Sequence, residues 1–208
     1  IRKLVRQLKN EGFSVGRKLV RRLMGEMGIQ AIYPKANLSK RNFRETIVPY
    51  LLRNKAVSLP NQVWSIDITY IKMQHSHMYL TAIIDWYSRM IVGWNLSDTL
   101  GTGYVIQAVK DAVAAHGTPA ILNSDQGCQF TSNAYKTLLR ELRIRQSMDG
   151  KSRWADNVMI ERWFRSLKTE GIYLNEYPNP RALRKAISVY IQQYNTVRPH
   201  QALEYKTP

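Results

Sequence analysis

The sequence predicts an α/β fold: a mixed five-stranded sheet, three antiparallel strands and then two parallel ones, flanked by helices and preceded by a small helical module. Three observations predict it. Beyond Pro60, three β-rich apolar runs follow one another with short connections, the pattern of an antiparallel meander. Helical and strand periods then alternate toward the C-terminus, which brings strands into parallel pairing. Before Pro60 the pattern is helical and basic.

The first run, Val63 to Lys72, alternates through Trp64, Ile66, Ile68 and Tyr70 and is rich in strand formers. Met78 to Asp85 and Met90 to Leu96 are the second and third strands, with Trp86-Tyr87-Ser88-Arg89 as the turn between them. Gly101 to His116 carries an apolar stripe at helical spacing. Pro119 to Asn123 reads as a short buried strand, Ser132 to Glu141 as a helix, and Ile144 to Met148 as the last strand. A long helix is expected from about Ala155 to near Gly171, and a final one from Pro180 to Asn195. This is the element order of the ribonuclease H-like fold.

The N-terminal part reads differently. Leu4, Val5 and Leu8 share a helical face, and Glu11-Gly12 closes that segment. Ser14 is expected to cap a second helix, Val15 to Met27, stopped by Gly28. Its apolar stripe is Val15, Leu19, Val20, Leu23 and Met24, and Arg17, Lys18, Arg21 and Arg22 lie on one side of it. Two short helices joined by a glycine turn suit a helix-turn-helix on DNA. The expected domains are this module (1–36), a basic linker (37–59) and a catalytic core with its C-terminal helix and tail (60–208). The opening Ile1-Arg2-Lys3-Leu4 has no Met and reads as mid-element sequence, as in a piece of a longer chain.

Composition narrows the class. The formal net charge is +16. Residues 1–60 hold 14 Lys/Arg against 3 Asp/Glu, so most of the excess lies in the first quarter, as phosphate neutralisation requires. A single cysteine, Cys128, and four scattered histidines make neither a disulfide nor a zinc cluster. No long apolar run is present, so no membrane span is expected. A reducing, cytoplasmic setting fits.

Three acids stand out by the elements that carry them. Asp67 interrupts a β-rich run, where a charge is expensive to bury. Asp125 follows the short strand ending at Asn123, and ligand sites in such sheets gather at strand ends. Gly127 is expected to let a substrate come close. Glu161 edges the stripe Ile160, Trp163, Phe164 and Leu167, with Arg165 and Lys168 four and seven residues further on. Phosphodiester transfer must activate a nucleophilic oxygen and stabilise a leaving one. Two divalent ions about 3.5–4 Å apart do both, and such hard cations take carboxylate oxygens.

Several segments then resemble the retroviral-integrase-like insertion-sequence transposases, a bacterial family whose catalytic half is often encoded by a second reading frame. Pro60 to Ile71, with Trp64-Ser65-Ile66-Asp67, resembles the first-aspartate motif. Asn123-Ser124-Asp125-Gln126-Gly127 resembles the second, with Asn123 where the family usually has His. Asp156-Asn157 through Glu161 to Lys168 resembles the third, 35 residues separating Asp125 from Glu161. Tyr194-Asn195, Arg198-Pro199-His200 and Leu203 resemble the C-terminal signature. The resemblance implies metal-dependent DNA cleavage and strand transfer by Asp67, Asp125 and Glu161 with two Mg²⁺ (or Mn²⁺) ions. It also implies Lys168 as a DNA contact, a homo-oligomer on DNA, and a partner encoded upstream, while helical spacing places Arg165 beside Glu161 as a further expected DNA contact. Asn123 is expected to alter the support behind Asp125. A nuclease of the same fold that does not join strands, and a DNA-binding relic, are the competing readings. Asp85 reads as a turn residue, Asp149-Gly150 as a mobile loop, and Asp156 as a helix cap. Trp154 reads equally as a base-stacking or a packing residue.

Overall fold

The computed structural model describes residues 1–29, 48–74, 76–149 and 157–208. The expectations for Gly150, Trp154, Asp156 and the basic Ser39-Lys40-Arg41 stretch lie outside the described residues. The chain divides into two compact units, Ile1–Asn42 and Phe43–Pro208.

In the first unit, α1 (Arg2–Asn10) and α2 (Arg17–Glu26) pack on each other. Gly12 at φ +92° turns the chain between them, a region that L side chains avoid. The expected Ser14 cap does not form. α2 begins two residues later, on Gly16, with no side-chain cap, because the extended backbone of Gly16 already turns the chain into the helix. Of the expected stripe only Val20 is buried. Arg17, Lys18, Arg21 and Arg22 are all exposed, and Arg22 Nε lies 3.3 Å from Glu26 Oε1, one turn on.

In the second unit, β1 (Val63–Lys72), β2 (His77–Asp85), β3 (Ile91–Ser97), β4 (Ile121–Ser124) and β5 (Arg145–Met148) form one sheet in the order β3-β2-β1-β4-β5. β1–β2 and β2–β3 are antiparallel, while β1–β4 and β4–β5 are parallel. The helices are α3 (Thr102–His116), α4 (Cys128–Thr131), α5 (Asn133–Glu141), α6 (Val158–Ser166) and α7 (Pro180–Thr196). α4 is a single turn that the sequence pattern does not announce. Ser132 caps α5 by accepting from Tyr135 N, and Asn179 caps α7 by accepting from Ala182 N ahead of Pro180, both preferred starts.

The strand period of two sorts β1 between the two faces of the sheet. Trp64, Ile66 and Ile68 pack with Val105, Ala108 and Val109 of α3 and Leu138 and Leu139 of α5. Ile71, with Leu80, Ala82 and Ile84 of β2, packs under Ile160, Trp163 and Phe164 of α6 and Leu183, Ile187 and Ile191 of α7. Asp67 is an odd-numbered residue of β1 like Ile71, and is paired with Ala82, so it lies on the α6 face. Residues 48–59, expected within the linker, carry Leu52, which is buried against Val63 and Ile121. Leu51 N also donates to Ser147 Oγ at 3.1 Å.

α3 approaches β3 closely at Gly93, where an added Cβ would stand 2.6 Å from Ala112 Cβ and 3.0 Å from Ala108 O. Gly93→Ala must therefore push a packed helix off the sheet. It is expected to destabilise by roughly 1–3 kcal/mol, read as a lower urea midpoint at unchanged slope. An unchanged midpoint would show that the contact is slack.

The expected long helix toward Gly171 ends early as an α-helix. After Ser166 it widens into a π-helical turn, Leu167–Ile172, with Tyr173 N donating to Lys168 O at 2.8 Å. The C-terminal segment fastens this turn. Arg198 makes two bonds to Glu170, at 2.6 and 3.0 Å, and Tyr190 OH donates to the same carboxylate at 3.2 Å. Asn195 accepts from Ile91 N and donates to Ile91 O, both at 3.0 Å, so α7 is pinned to the start of β3.

Candidate active site

The sheet topology lines up the acids. The last parallel pair of β1 with β4 is Ser65 with Asn123, and Asp67 and Asp125 each lie two residues beyond it. The last pair of β4 with β5 is Ser124 with Met148, and Asp125 and Asp149 come next. Asp67, Asp125 and Asp149 thus occupy one row across β1, β4 and β5 at the end where the parallel strands stop. This is the place where side chains gather outside a sheet. Glu161 enters on the first turn of α6, the helix that covers the Asp67 face.

Asp67 Oδ1 accepts from its neighbour's backbone, Ile68 N, at 2.7 Å. Its carboxyl is nevertheless pushed up from 3.8 to about 7. Burial is the largest cause, and the negative charges of Asp125, Glu161 and Asp149 add to it. The three sequence-predicted acids therefore share one electrostatic neighbourhood, and a fourth, Asp149, joins them. Among the described residues no three acid, imidazole or thiol groups stand close enough to hold one ion together. Asp125 and Glu161 are exposed, so their side chains have room to turn inward.

Asp125 is braced from its C-terminal side. Its Oδ1 accepts from Gly127 N at 2.8 Å, and a Cβ at Gly127 would stand 2.9 Å from that oxygen and 3.1 Å from Phe130. Gly127 was expected to admit a substrate; the group it admits here is the Asp125 carboxylate. Asn123 is buried and donates through Nδ2 to Asp149 Oδ1 at 2.7 Å. Gln126 Nε2 donates to Asp149 O at 2.9 Å. The side chain expected to bear on Asp125 thus orients Asp149, and the segment expected to be a mobile loop starts from a residue tied at both main chain and side chain. Sequence reasoning passed over Asp149 because Asp149-Gly150 reads as a loop, although the acid follows the end of β5 as Asp125 follows that of β4.

Asp85 keeps the role read from the sequence. It is buried, takes Asn61 N on one oxygen and Ser88 N and Oγ on the other, and so ties the β2–β3 turn. Arg165 is exposed on α6 one turn beyond Glu161. Lys168 lies in the π-helical turn, where burial lowers its ammonium below the usual range. Cys128 is exposed, and no site of the protein uses it among the described residues.

A five-stranded mixed sheet with acids at the ends of neighbouring strands and on the covering helix defines a ribonuclease H-like protein of the integrase-core class. Family comparison agrees. The family described as Integrase core domain matches residues 57–153 and again 142–208, and an HTH-like domain matches residues 1–37. The transposase for insertion sequence element IS904 of Lactococcus lactis subsp. lactis (strain IL1403) is 33% identical over 99% of this chain and 84% of its own length. The transposase InsK assigned to insertion sequence element IS150 of Escherichia coli (strain K12) is 32% identical over 100% of this chain and 75% of its own. The HTLV-2 integrase catalytic core domain, solved with magnesium in a dimeric form, shares the fold with a TM-score of 0.58 at 23% identity, over 72% of this chain and 94% of that one. The chain belongs to the insertion-sequence transposases built on an integrase core. It acts in DNA transposition as a polynucleotidyl transferase. Among the described residues no helix is long and apolar enough to cross a membrane.

Proposed function

We propose that this transposase cleaves the ends of its element and joins them to target DNA at a site made by Asp67, Asp125 and Glu161. The observation that carries the reading is the raised carboxyl of Asp67, with Asp125 and Glu161 among its causes. Acids that repel one another in a half-buried place are relieved by divalent cations. The donor set is carboxylate oxygen only, which fits Mg²⁺ or Mn²⁺, and magnesium accompanies the HTLV-2 fold neighbour. Two such ions, when bound, activate the attacking oxygen and stabilise the leaving one.

The remaining chemistry falls to the chain. Asp67 sits on β1, the middle strand of the sheet, and its deprotonation couples to cation binding. Gly127 holds the Asp125 carboxylate at the end of β4, and α6 carries Glu161 over the sheet. Arg165 and Lys168 extend the cationic side of that helix, where DNA phosphate would run. Asn123 acts through Asp149 in orienting the end of β5. The exposed Arg17, Lys18, Arg21 and Arg22 of α2 suit backbone contacts by the 1–36 module, with the 60–208 core doing the chemistry. Two element ends must meet in one complex, so the working form is a homo-oligomer on DNA, with the product of an upstream reading frame as a further partner. The setting is the bacterial cytoplasm, at the nucleoid.

Labelled element ends incubated with a target plasmid and Mg²⁺ test the proposal. Joined product that requires the metal is expected. Nicked ends without any joined product would identify a nuclease of the same fold instead.

A further inference from the structure

Beside α6 lies a cavity of about 190 Å³ lined by Arg89, Arg162, Arg198, Trp163 and His200, among others. The residues α6 gives it, Val158, Met159, Arg162, Trp163 and Ser166, lie on one side of the helix. The middle of that side is turned roughly 130° from Glu161. The cavity is therefore distinct from the acid row, though Arg162 adjoins Glu161 in the chain.

Its charge is unbalanced. Three arginines and a histidine line it, and no Asp or Glu does. Arg198 is committed to Glu170. Arg89 has no such partner: its Nη1 donates to Met159 Sδ, a weak acceptor, and its Nε is buried with no acceptor among the described residues. Asp85 attracts it, but both Asp85 oxygens serve the turn. Trp163 Nε1 and His200 Nδ1 are also buried with no partner among the described residues. Burial outweighs the attraction of Asp85 and pushes the Arg89 guanidinium below its usual range. Folded proteins seldom leave a cation and two further polar groups stranded around one space.

We propose that this cavity binds one phosphate group, gripped by Arg89 and Arg162, with Trp163 and His200 forming its wall. The two guanidinium groups come from separate elements, the β2–β3 turn and α6. A phosphate offers acceptor oxygens in several directions at once, which suits such convergence. The group is either a phosphodiester of bound DNA or free inorganic phosphate. Only the assignment to DNA rests on the reading given under Proposed function. A strand crossing α6 would then present one phosphodiester to the acids and another to the cavity.

The test uses the full chain in metal-free buffer, as wild type, Arg89→Gln and Arg162→Gln. Arg162 is exposed, so its variant keeps the fold whatever Arg89→Gln does. Inorganic phosphate is added against sodium chloride of equal ionic strength, and Tm is read. Phosphate is expected to raise the wild-type Tm by several degrees and to do so much less in both variants. Without phosphate, Arg89→Gln is expected to be at least as stable as wild type, because burial costs this charge more than the attraction of Asp85 returns. A second arm measures binding of a short labelled single-stranded oligonucleotide lacking the element ends. Affinity about tenfold weaker in both variants assigns the site to DNA phosphate. Unchanged affinity with a lost phosphate response assigns it to the free ion. An equal phosphate response in all three proteins overturns the proposal. Neither arm reads strand joining, so a failed joining assay would leave this result standing by itself.

Discussion

Glu161→Gln is expected to abolish cleavage and joining while leaving the fold and DNA binding intact. The side chain is exposed on the first turn of α6, and its main-chain N donates to Asn157 O at 3.2 Å, a bond that the substitution keeps. Glutamine has the same shape and loses only the charge. A metal-held transition state loses several kcal/mol when a ligand charge goes, so joining should fall by about a thousandfold or more. Affinity for element ends, measured by mobility shift, should stay within about threefold, since phosphate contacts dominate it. A variant that joins strands at the wild-type rate would remove Glu161 from the site.

Asp67→Asn should show a trade between function and stability. Asp67 titrates at about 7 in the fold against an ordinary 3.8. An acid raised in this way destabilises the folded state as pH climbs from about 4 to 7, because the unfolded chain ionises first. Above pH 7 the cost is complete, on the order of a few kcal/mol. Asparagine removes it and keeps the acceptor for Ile68 N. In metal-free buffer at pH 8 the variant should melt several degrees above wild type, and the gap should close as pH falls to about 4. Mg²⁺ should raise the wild-type Tm and leave the variant unmoved, and the variant should join no strands. A variant less stable than wild type at pH 8 would mean that the Asp67 carboxylate contributes to the fold. Sites that store such repulsion are found where function, rather than stability, has shaped the residue.

These predictions concern residues that the sequence exposes unusually well. β1 was bounded at Val63 and Lys72 by its alternation, and the structure has the same ends. The reason is that Val63 to Ile66 is fully buried and the rest of the strand keeps alternating β-forming residues. Asp67 is conspicuous in it because a charge there opposes everything around it. Asp125 and Glu161 are less conspicuous singly; the elements on either side single them out.

What stayed hidden depends on contacts between distant parts of the chain. Asp149 escaped because Asp149-Gly150 reads as a loop, although β5 ends at Met148 as expected. The π-helical turn has no sequence signature. It is held by Arg198, 28 residues beyond Glu170. The clamp from Asn195 to Ile91 spans 104 residues. Gly16, rather than the better capping residue Ser14, starts α2 because backbone conformation outweighed side-chain preference there. Arg89 looked like a turn residue, and it is one: its φ is +64° and its carbonyl accepts from Tyr194 OH at 3.1 Å. Only the packed structure shows that its guanidinium enters a cavity with no acid to meet it.

The central claim is that Asp67, Asp125 and Glu161 act together on divalent metal. Crystals of the chain soaked in Mn²⁺ and measured at the manganese absorption edge test it most directly. The account predicts two anomalous peaks about 3.5–4 Å apart, ligated by carboxylate oxygens of all three residues. Peaks held by Asp67 and Asp149 with Glu161 turned to solvent, or no ordered peak near Asp67, would contradict it.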